Sequence, residues 1–240
     1  MKNGLIIKCC YLLLMKNMYD NIIVIPFRDR DTHLEYFIKN TLPLLQEHLP
    51  NSKVVVVEQN EGKLFNRGML LNVAFKEYEN KTKYFFTHDV DMNPSLEIIK
   101  SIYTKEDIEM FRVKLIHNTC LGGIIKVKHD IIFDINGFPN NIWGWGIEDR
   151  ALYYRCCMKN INITNNPNQS FKIMPHTSNA IIYTGEKKLI SDMWRSSYID
   201  KLDDKQKEEM IMGSGLNNLK YTILERKMIH DIVEFIKIKI

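Results

Sequence analysis

Short apolar runs alternate with segments of helical periodicity along the first part of the chain. Apolar, β-branched and aromatic residues cluster at positions 22–25, 53–58 and 84–88, which is typical of buried strands. Segments with apolar residues at helical spacing follow each run, at 33–45, 66–78 and 94–103. Strands that alternate with helices predict right-handed βαβ units and a parallel sheet covered on both faces.

The pattern changes after residue 122. It predicts a strand over 123–127, a short helix over 128–133, a turn at the N-G-F-P stretch of 136–139, and a helix over 148–158. Charged, helix-like stretches follow residue 180 and continue to about 210, and positions 221–225 and 232–240 are typical of closing strands. No repeat, low-complexity tract or linker divides the chain. We therefore predict one α/β domain over 21–240, preceded by an N-terminal extension at 1–20.

The composition is that of an ordinary folded protein. A chain of 240 residues with 45% hydrophobic and 26% charged residues is long enough to bury a full core. The net charge of +4 is mild and its basic residues are dispersed, which favours an anionic small molecule over nucleic acid as the partner. No pattern indicates an oligomeric state.

Neither a membrane span nor a disulfide framework is predicted. The apolar run at 5–14 is interrupted by Lys8 and is far shorter than the roughly 20 residues that a spanning helix needs. No clear cleavage site follows it, so a signal peptide is not indicated either. Five cysteines without zinc or C-x-x-C spacing favour reduced thiols, and we expect a soluble cytoplasmic protein.

Polar segments follow each of the three early strands. They lie at 26–30, 58–67 and 88–91, and they should line one crevice because ligands of open α/β sheets bind beyond the carboxyl ends of the strands. Arginines in these segments offer donors to a phosphate or a base, and phenylalanines offer a wall for a ring; solvated arginines and core phenylalanines are the alternative. The residues concerned are Phe27, Arg28, Arg30, Phe65 and Arg67.

Two further patterns carry metal-binding residue types. Asp89 and Asp91 flank Val90 directly after a strand, and carboxylates combined with substrate phosphates commonly hold divalent cations. Solvated turn acids explain this D-x-D pattern equally well. Met174 and His176 project to the same side of an extended segment, so both could face one metal, but their spacing alone leaves the question open.

The stretch N-I-W-G-W-G-I-E-D-R at 141–150 combines bulky tryptophans with glycines. Its glycines disfavour both helix and strand, and the stretch suits a flat platform for a ligand with carboxylates at its edge. Glu148 and Asp149 point about 100° apart on a helix, so we expect one to bind ligand and the other to accept a proton. A helix N-terminus made acidic to complement the macrodipole is the competing explanation.

Read together, these motifs resemble the beta-1,4-galactosyltransferase family. The resemblance rests on I-P-F-R-D-R, F-N-R-G-M-L-L-N-V, H-D-V-D, a G-G pair near 122, N-G-F-P-N-N-I-W-G-W-G-I-E-D and M-P-H, in that order over about 22–174. G-L-N-N-L-K-Y at 215–221 extends it. It implies a GT-A fold, a Rossmann-like mixed sheet flanked by helices. It also implies Mn(II)-dependent, inverting transfer of a hexose or N-acetylhexosamine from a UDP-sugar to a saccharide hydroxyl.

The resemblance also implies roles for individual residues. Asp149 would be the catalytic base, assisted by Glu148, which would bind sugar hydroxyls, and Trp145 would swing in over donor and acceptor and exclude water. The other substrate-binding positions would be Gly122 and Gly146. The residues implied for Mn(II) are Asp91, Met174 and His176. The residues implied for the UDP-sugar are Pro26, Phe27, Arg28, Arg30, Phe65, Arg67, Asp89 and Val90.

Several positions depart from the family pattern. Cys120 stands where an aromatic residue often precedes the G-G pair, leaving room for a galactose, glucose or N-acetylhexosamine donor. Ile147 replaces a glycine, Arg150 replaces an acid, and M-P-H is a hybrid metal motif. These departures keep open the alternative of a catalytically inactive sugar- or nucleotide-binding protein. The two aspartates of the D-x-D pattern also allow a metal-dependent phosphohydrolase, which leaves the Trp/Gly stretch unexplained.

Overall fold

The computed structural model describes residues 18–114, 117–168, 170–175 and 185–240. The strands are β1 Tyr19–Phe27, β2 Ser52–Gln59, β3 Thr82–His88, β4 Met92–Pro94, β5 Met110–Arg112, β6 Ile124–Lys128, β7 Ile163–Asn165, β8 Phe171–Ile173, β9 Thr222–His230 and β10 Val233–Lys239. The α-helices are α1 Asp31–Asn40, α2 Leu42–His48, α3 Arg67–Glu77, α4 Leu96–Ile98, α5 His129–Asp134, α6 Glu148–Met158, α7 Gly185–Met193, α8 Ser196–Ile199 and α9 Asp204–Met212. A π-helical turn, Ile99–Tyr103, continues α4, and a 3₁₀ turn spans Leu216–Asn218.

Eight strands form one mixed sheet in the order β7-β5-β6-β3-β1-β2-β10-β9. β1 is parallel to both β2 and β3, and β10 is parallel to β2. β6 is antiparallel to β3, and β9 is antiparallel to β10. β4 and β8 form a separate antiparallel pair. The predicted α/β fold with a mixed sheet is confirmed.

Alternate residues of the central strands pack into cores on opposite faces of the sheet. Ile22 and Val24 of β1 contribute to a cluster that includes the apolar residues of α3, whereas Ile23 and Ile25 pack with those of α1 and α2. Side chains of a strand alternate between the two faces, so a central strand covered on both faces must be apolar throughout. Burying each such side chain contributes roughly 1.5–3 kcal/mol, and the carboxyl ends of β1, β2 and β3 are thereby held at one edge.

Three predicted elements differ from those observed. The helix predicted over 33–45 is broken between α1 and α2, because Pro43 in the first turn of α2 has no N–H to donate to the preceding turn. In the segment predicted helical over 94–103, Pro94 belongs to β4, and the chain then forms α4 and the π-helical turn. The strand predicted over 221–225 continues to His230, where it pairs with β10.

The chain boundaries of the domain stay predictions. β1 begins at Tyr19, within the predicted N-terminal extension, and residues 1–17 lie outside the described part. The mixed sheet takes in strands from Tyr19 to Lys239. Within the described ranges, no helix combines the length and apolar character that a bilayer crossing requires.

Candidate active site

The segments that follow β1 and β2 are in contact. The Nη1 atom of Arg28 donates to the carbonyl oxygen of Lys63 at 2.7 Å, and the guanidinium carbon of Arg28 lies 5.3 Å from the ring centroid of Phe65. A cation over an aromatic face is attracted by the ring quadrupole. Two of the three strand-end segments are therefore in contact at one edge of the sheet, and the crevice stays a prediction.

Arg67 joins the second segment to the third. It begins α3, whose N-cap residue Asn66 accepts a hydrogen bond from Met69 N at 3.0 Å. The Nε and Nη2 atoms of Arg67 both lie 2.8 Å from Oδ1 of Asp89, at the end of β3. Burial opposes ionisation of Arg67, but Asp89 and Glu148 outweigh it and raise its pKa, so the guanidinium stays charged.

The same arginine reaches the Trp/Gly stretch. Its Nη1 atom lies 3.9 Å from Oε1 of Glu148, which begins α6 and is 7% exposed. Within the described part of the chain, Oε2 of Glu148 is buried and has no hydrogen-bond partner. Burial and the nearby charge of Asp149 raise the pKa of Glu148 to about 7, against the opposing effect of Arg67. Glu148 is thus a desolvated carboxyl that can exchange hydrogen bonds with a ligand.

Asp149 is fixed by backbone contacts on two sides. Its Oδ1 atom accepts from the N–H of Arg150 at 2.7 Å, and its carbonyl oxygen accepts from Leu121 N at 3.0 Å. A Cβ atom placed on Gly122 would lie only 2.8 Å from Oδ2 of Asp149. The predicted substrate-binding glycine therefore leaves space for the carboxylate of the predicted base.

The Trp/Gly stretch forms a loop that packs beside Phe65 and leaves the side chain of Trp145 exposed. Gly144 and Gly146 have φ angles of +74° and +88°, a region that glycine adopts without steric cost. Gly144 N donates to the carbonyl oxygen of Phe65 at 2.7 Å, and the ring of Trp143 lies 5.1 Å from Nζ of Lys63. Trp145 is 67% exposed. The loop therefore offers an open aromatic surface next to the predicted donor-binding residues.

Two of the predicted metal ligands are adjacent. The pairing of β4 with β8 sets Met92 opposite Ile173, and Met174 N donates to the carbonyl oxygen of Asp91 at 2.8 Å. One carboxylate and one thioether fit a cation such as Mn(II), with substrate oxygens at other positions. His176 lies outside the described residues, and the described residues form no cluster of three or more His, Cys, Asp or Glu side chains.

Some predicted nucleotide contacts are not available as side chains. Phe27 and Val90 are 3% and 6% exposed and pack in the core, so they offer a ligand little beyond their backbone. Pro26 is buried within β1, where it is paired with Val57. The side chain of Arg30 stays partly exposed, and its backbone carbonyl accepts from the N–H groups of His33 and Leu34 in α1. The core alternative thus holds for Phe27, whereas Phe65 is only partly buried.

Sequence reasoning missed two lysines at the loop. Besides Lys63, the Nζ atom of Lys187 in α7 donates to the carbonyl oxygens of Trp143 and Trp145, at 2.8 and 3.0 Å. Lys63 lies in the predicted crevice segment 58–67 but was not singled out there, and Lys187 lies in a charged stretch that is typical of solvated surface. Their proximity to the loop is set by tertiary structure alone.

Comparison with protein families gives two matches. Residues 15–104 match the N-terminal region of glycosyl transferase group 7. Residues 104–177 match a family model described as the N-terminal domain of galactosyltransferase. The two matches adjoin and together include the strand-end segments, the Trp/Gly stretch and the M-P-H motif.

Individual relatives of this chain are beta-1,4-galactosyltransferases, in agreement with the family matches. Bovine (Bos taurus) beta-1,4-galactosyltransferase 1 is 30% identical over 211 residues, covering 85% of this chain and 50% of the relative. Human (Homo sapiens) beta-1,4-galactosyltransferase 4 is 34% identical over 152 residues, covering 59% of this chain and 44% of the relative. The chain thus spans about half the length of the curated relatives it matches.

Solved structures share the fold. The catalytic domain of Drosophila beta-1,4-galactosyltransferase 7 in complex with xylobiose superposes with a TM-score of 0.74 at 21% identity, covering 93% of this chain and 94% of that chain. A variant of that protein in complex with manganese, UDP-Gal and xylobiose gives 0.73 at 22% identity. The predicted GT-A-type architecture is confirmed by this similarity.

Proposed function

Because the chain belongs to glycosyl transferase group 7, the family that includes the beta-1,4-galactosyltransferases, we propose that it is an inverting, Mn(II)-dependent glycosyltransferase. Its donor is a UDP-sugar, and its acceptor is a saccharide hydroxyl. The observation that carries the proposal is the position of Arg67, which lies 2.8 Å from Asp89 and 3.9 Å from Glu148. This arginine brings the D-x-D pattern and the Glu-Asp pair into one site, where a donor and an acceptor can meet.

The proposed reaction is a single displacement. The acceptor hydroxyl oxygen attacks the anomeric carbon of the donor sugar, and the bond from that carbon to the phosphate oxygen breaks. UDP leaves with the electron pair, and a carboxylate oxygen of Asp149 takes the hydroxyl proton. Attack from the face opposite UDP inverts the anomeric centre. Glu148 binds acceptor hydroxyls and the exposed ring of Trp145 covers an apolar sugar face.

The remaining groups hold the donor. Arg28, beside Phe65, and Arg67 offer charged donors to the diphosphate, and Arg forms charge-assisted hydrogen bonds with phosphate oxygens. Asp91 and Met174, with His176, would hold Mn(II), which when bound stabilises the negative charge on UDP. The adjacency of Met174 N and Asp91 O supports this assignment.

The decisive experiment measures UDP release. Purified protein is incubated with UDP-galactose, Mn(II) and xylobiose, N-acetylglucosamine or glucose, and UDP is quantified with and without acceptor. We expect acceptor-dependent release that falls roughly 10²–10⁴-fold in Asp149→Asn, because a positioned general base contributes that much. Asp192→Asn, which changes an exposed acid on α7, is the matched control.

Each alternative has its own outcome. Ligand binding by calorimetry without UDP release would indicate the inactive binding protein. Release without acceptor stimulation would indicate a phosphohydrolase. Activity of Asp149→Asn equal to that of the parent would remove Asp149 from the role of base.

Donor choice is proposed to depend on Cys120. Its thiol is half-buried, and burial and the charge of Asp149 raise its pKa to about 11, which is consistent with a position beside the predicted base. A small side chain there leaves room for an N-acetyl group, so we expect UDP-galactose and UDP-N-acetylgalactosamine both to serve as donors. Cys120→Tyr should reduce use of the larger donor selectively, and an equal reduction with both donors would contradict this assignment.

A further inference from the structure

The helix α7 is bonded to the backbone of the Trp/Gly loop. Lys187 Nζ donates to the carbonyl oxygens of Trp143 and Trp145, at 2.8 and 3.0 Å, and so spans Gly144 between them. A Cβ atom on Gly144 would lie 3.3 Å from that same nitrogen. A single ammonium therefore binds both carbonyl oxygens that flank the glycine, and charge-assisted hydrogen bonds are among the stronger ones in proteins.

A second bond joins the same helix to the start of α6. Arg150 Nη2 donates to the carbonyl oxygen and to Oγ of Ser191, at 2.9 and 2.6 Å, and Ser191 is 1% exposed. Residues 187 and 191 are four apart on α7, so they lie on one face of that helix. This face contacts the chain both before and after the Glu-Asp pair.

Ile147 provides the third attachment. Its φ of +81° is an outlier for a β-branched residue, which is strained in this region. Such strain persists only where packing holds it, and Ile147 is 3% exposed in a cluster with Trp194, Ile199 and Ala151. Trp194 directly follows α7 and Ile199 ends α8. The strained residue is therefore packed against Trp194, which directly follows the helix that carries Lys187 and Ser191, and against Ile199 of α8.

We propose that Lys187 is a positioning residue, which together with the Arg150–Ser191 bond and the packing of Ile147 holds the backbone of the Trp/Gly loop on α7 and so pre-forms the acceptor side of the site, while the exposed ring of Trp145 stays free to close over the ligands. The assignment rests on the proposed function for its kinetic consequence, but its structural consequence is independent of activity. It gives a role to both Ile147 and Arg150, which depart from the family pattern. A pre-formed loop lowers the ordering cost of binding an acceptor.

The test compares Lys187→Met with Lys187→Arg and with Lys188→Met. Lys188 is on the same helix, is exposed, and pairs with Asp192 at 2.9 Å, so Lys188→Met removes one lysine without touching the loop. With donor saturating, we expect Lys187→Met to raise the acceptor KM about tenfold, as expected for loss of a charge-assisted hydrogen bond. The donor KM should stay within about twofold, because the donor contacts come from other elements. Lys187→Arg should restore most of the acceptor KM.

Hydrogen exchange gives the second readout. Amides of residues 143–147 should exchange faster in Lys187→Met than in the parent or in Lys188→Met, at equal unfolding midpoints. If amide exchange and acceptor KM were both unchanged in Lys187→Met, the assignment would be overturned. A higher kcat/KM would overturn it as well, because it would mean that the lysine holds the loop away from its working position. If the parent protein itself releases no UDP, the proposed function fails, while the exchange result still decides whether Lys187 fixes the loop.

Discussion

At the scale of single residues, the side chains of the site are in such close contact that small substitutions displace their neighbours. Gly122 faces the carboxylate of Asp149 so closely that a methyl group would meet Oδ2 at 2.8 Å. Glu148 is held buried beside a charged arginine and a second acid. These contacts make the effects of small changes predictable in sign.

Gly122→Ala should reduce activity while leaving the fold intact. The added methyl group meets the end of a flexible side chain, so relief costs little stability but displaces the carboxylate of Asp149. A displacement of about 1 Å near the reacting atoms can lower kcat/KM roughly 100-fold. Steady-state kinetics together with thermal unfolding test this. A large fall in the unfolding midpoint, or unaltered kinetics, would contradict it.

Glu148→Gln should flatten the dependence of stability on pH. The pKa of Glu148 is raised from 4.5 to about 7, so between these values the native state holds this proton more tightly than the unfolded chain does. Its contribution to stability is therefore complete below about pH 4.5 and is lost as the pH rises through about 7. We expect the parent to lose stability across this window relative to Glu148→Gln in thermal scans at a series of pH values. Glu61→Gln, on the exposed loop after β2, should keep the parent profile.

At the scale of elements, the N-G-F-P turn shows what the sequence predicts and what it leaves out. Its place at 136–139 follows from turn chemistry. The tertiary contacts that hold the turn do not follow from its own sequence. The side-chain amide of Asn72 in α3 donates to the carbonyl oxygen of Phe138 at 2.7 Å and accepts from Phe138 N at 2.9 Å. Arg155 of α6, fully buried, donates to the carbonyl oxygens of Asn136 and Gly137, at 2.9 and 2.8 Å, and to that of Ser214.

In the rest of the molecule too, local sequence predicts some elements, whereas others depend on tertiary contacts. The long strands were predictable because each is a continuous run of apolar and β-branched residues, and α3 was predictable because its apolar, helix-favouring residues extend over three turns. The three-residue strands β4, β5, β7 and β8 were not, because they are too short to show a period. Strand ends and the family resemblance predict Arg28, Arg67 and the two carboxyl motifs as site residues, and the contacts of Lys63 and Lys187 with the loop became visible only in the tertiary structure. His176 stays a prediction.

Arg155→Met should destabilise the protein strongly. It leaves several buried carbonyl oxygens without a donor, and an unsatisfied buried polar group costs about 1–3 kcal/mol. We expect the free energy of unfolding in urea to fall by roughly 2–4 kcal/mol, within the range of severe single substitutions. Arg150→Met, which changes the neighbouring arginine of α6 bonded to Ser191, is the comparison and should cost less. A loss below about 1 kcal/mol for Arg155→Met would mean that water replaces the guanidinium.

At the scale of the whole molecule, the site is a junction of segments that are distant in sequence. The segments after β1, β2 and β3 meet at one edge of the sheet, and the Trp/Gly loop and the end of β8 join them there. A ligand that binds across this edge contacts parts of the chain that separate when the protein unfolds. It must therefore stabilise the fold as a whole, in proportion to its affinity for the native state.

UDP and Mn(II) together should raise the unfolding midpoint more than either alone. At about 100 times the dissociation constant, a ligand of the native state adds about 2.7 kcal/mol, which corresponds to roughly 5–10 °C for a chain of this size. In Asp91→Asn the increment due to Mn(II) should disappear while that of UDP alone remains. Asp130→Asn, an exposed acid of α5, should respond like the parent. An undiminished Mn(II) increment in Asp91→Asn would place the cation elsewhere, and with it the leaving group, so the arrangement proposed for transfer would no longer hold.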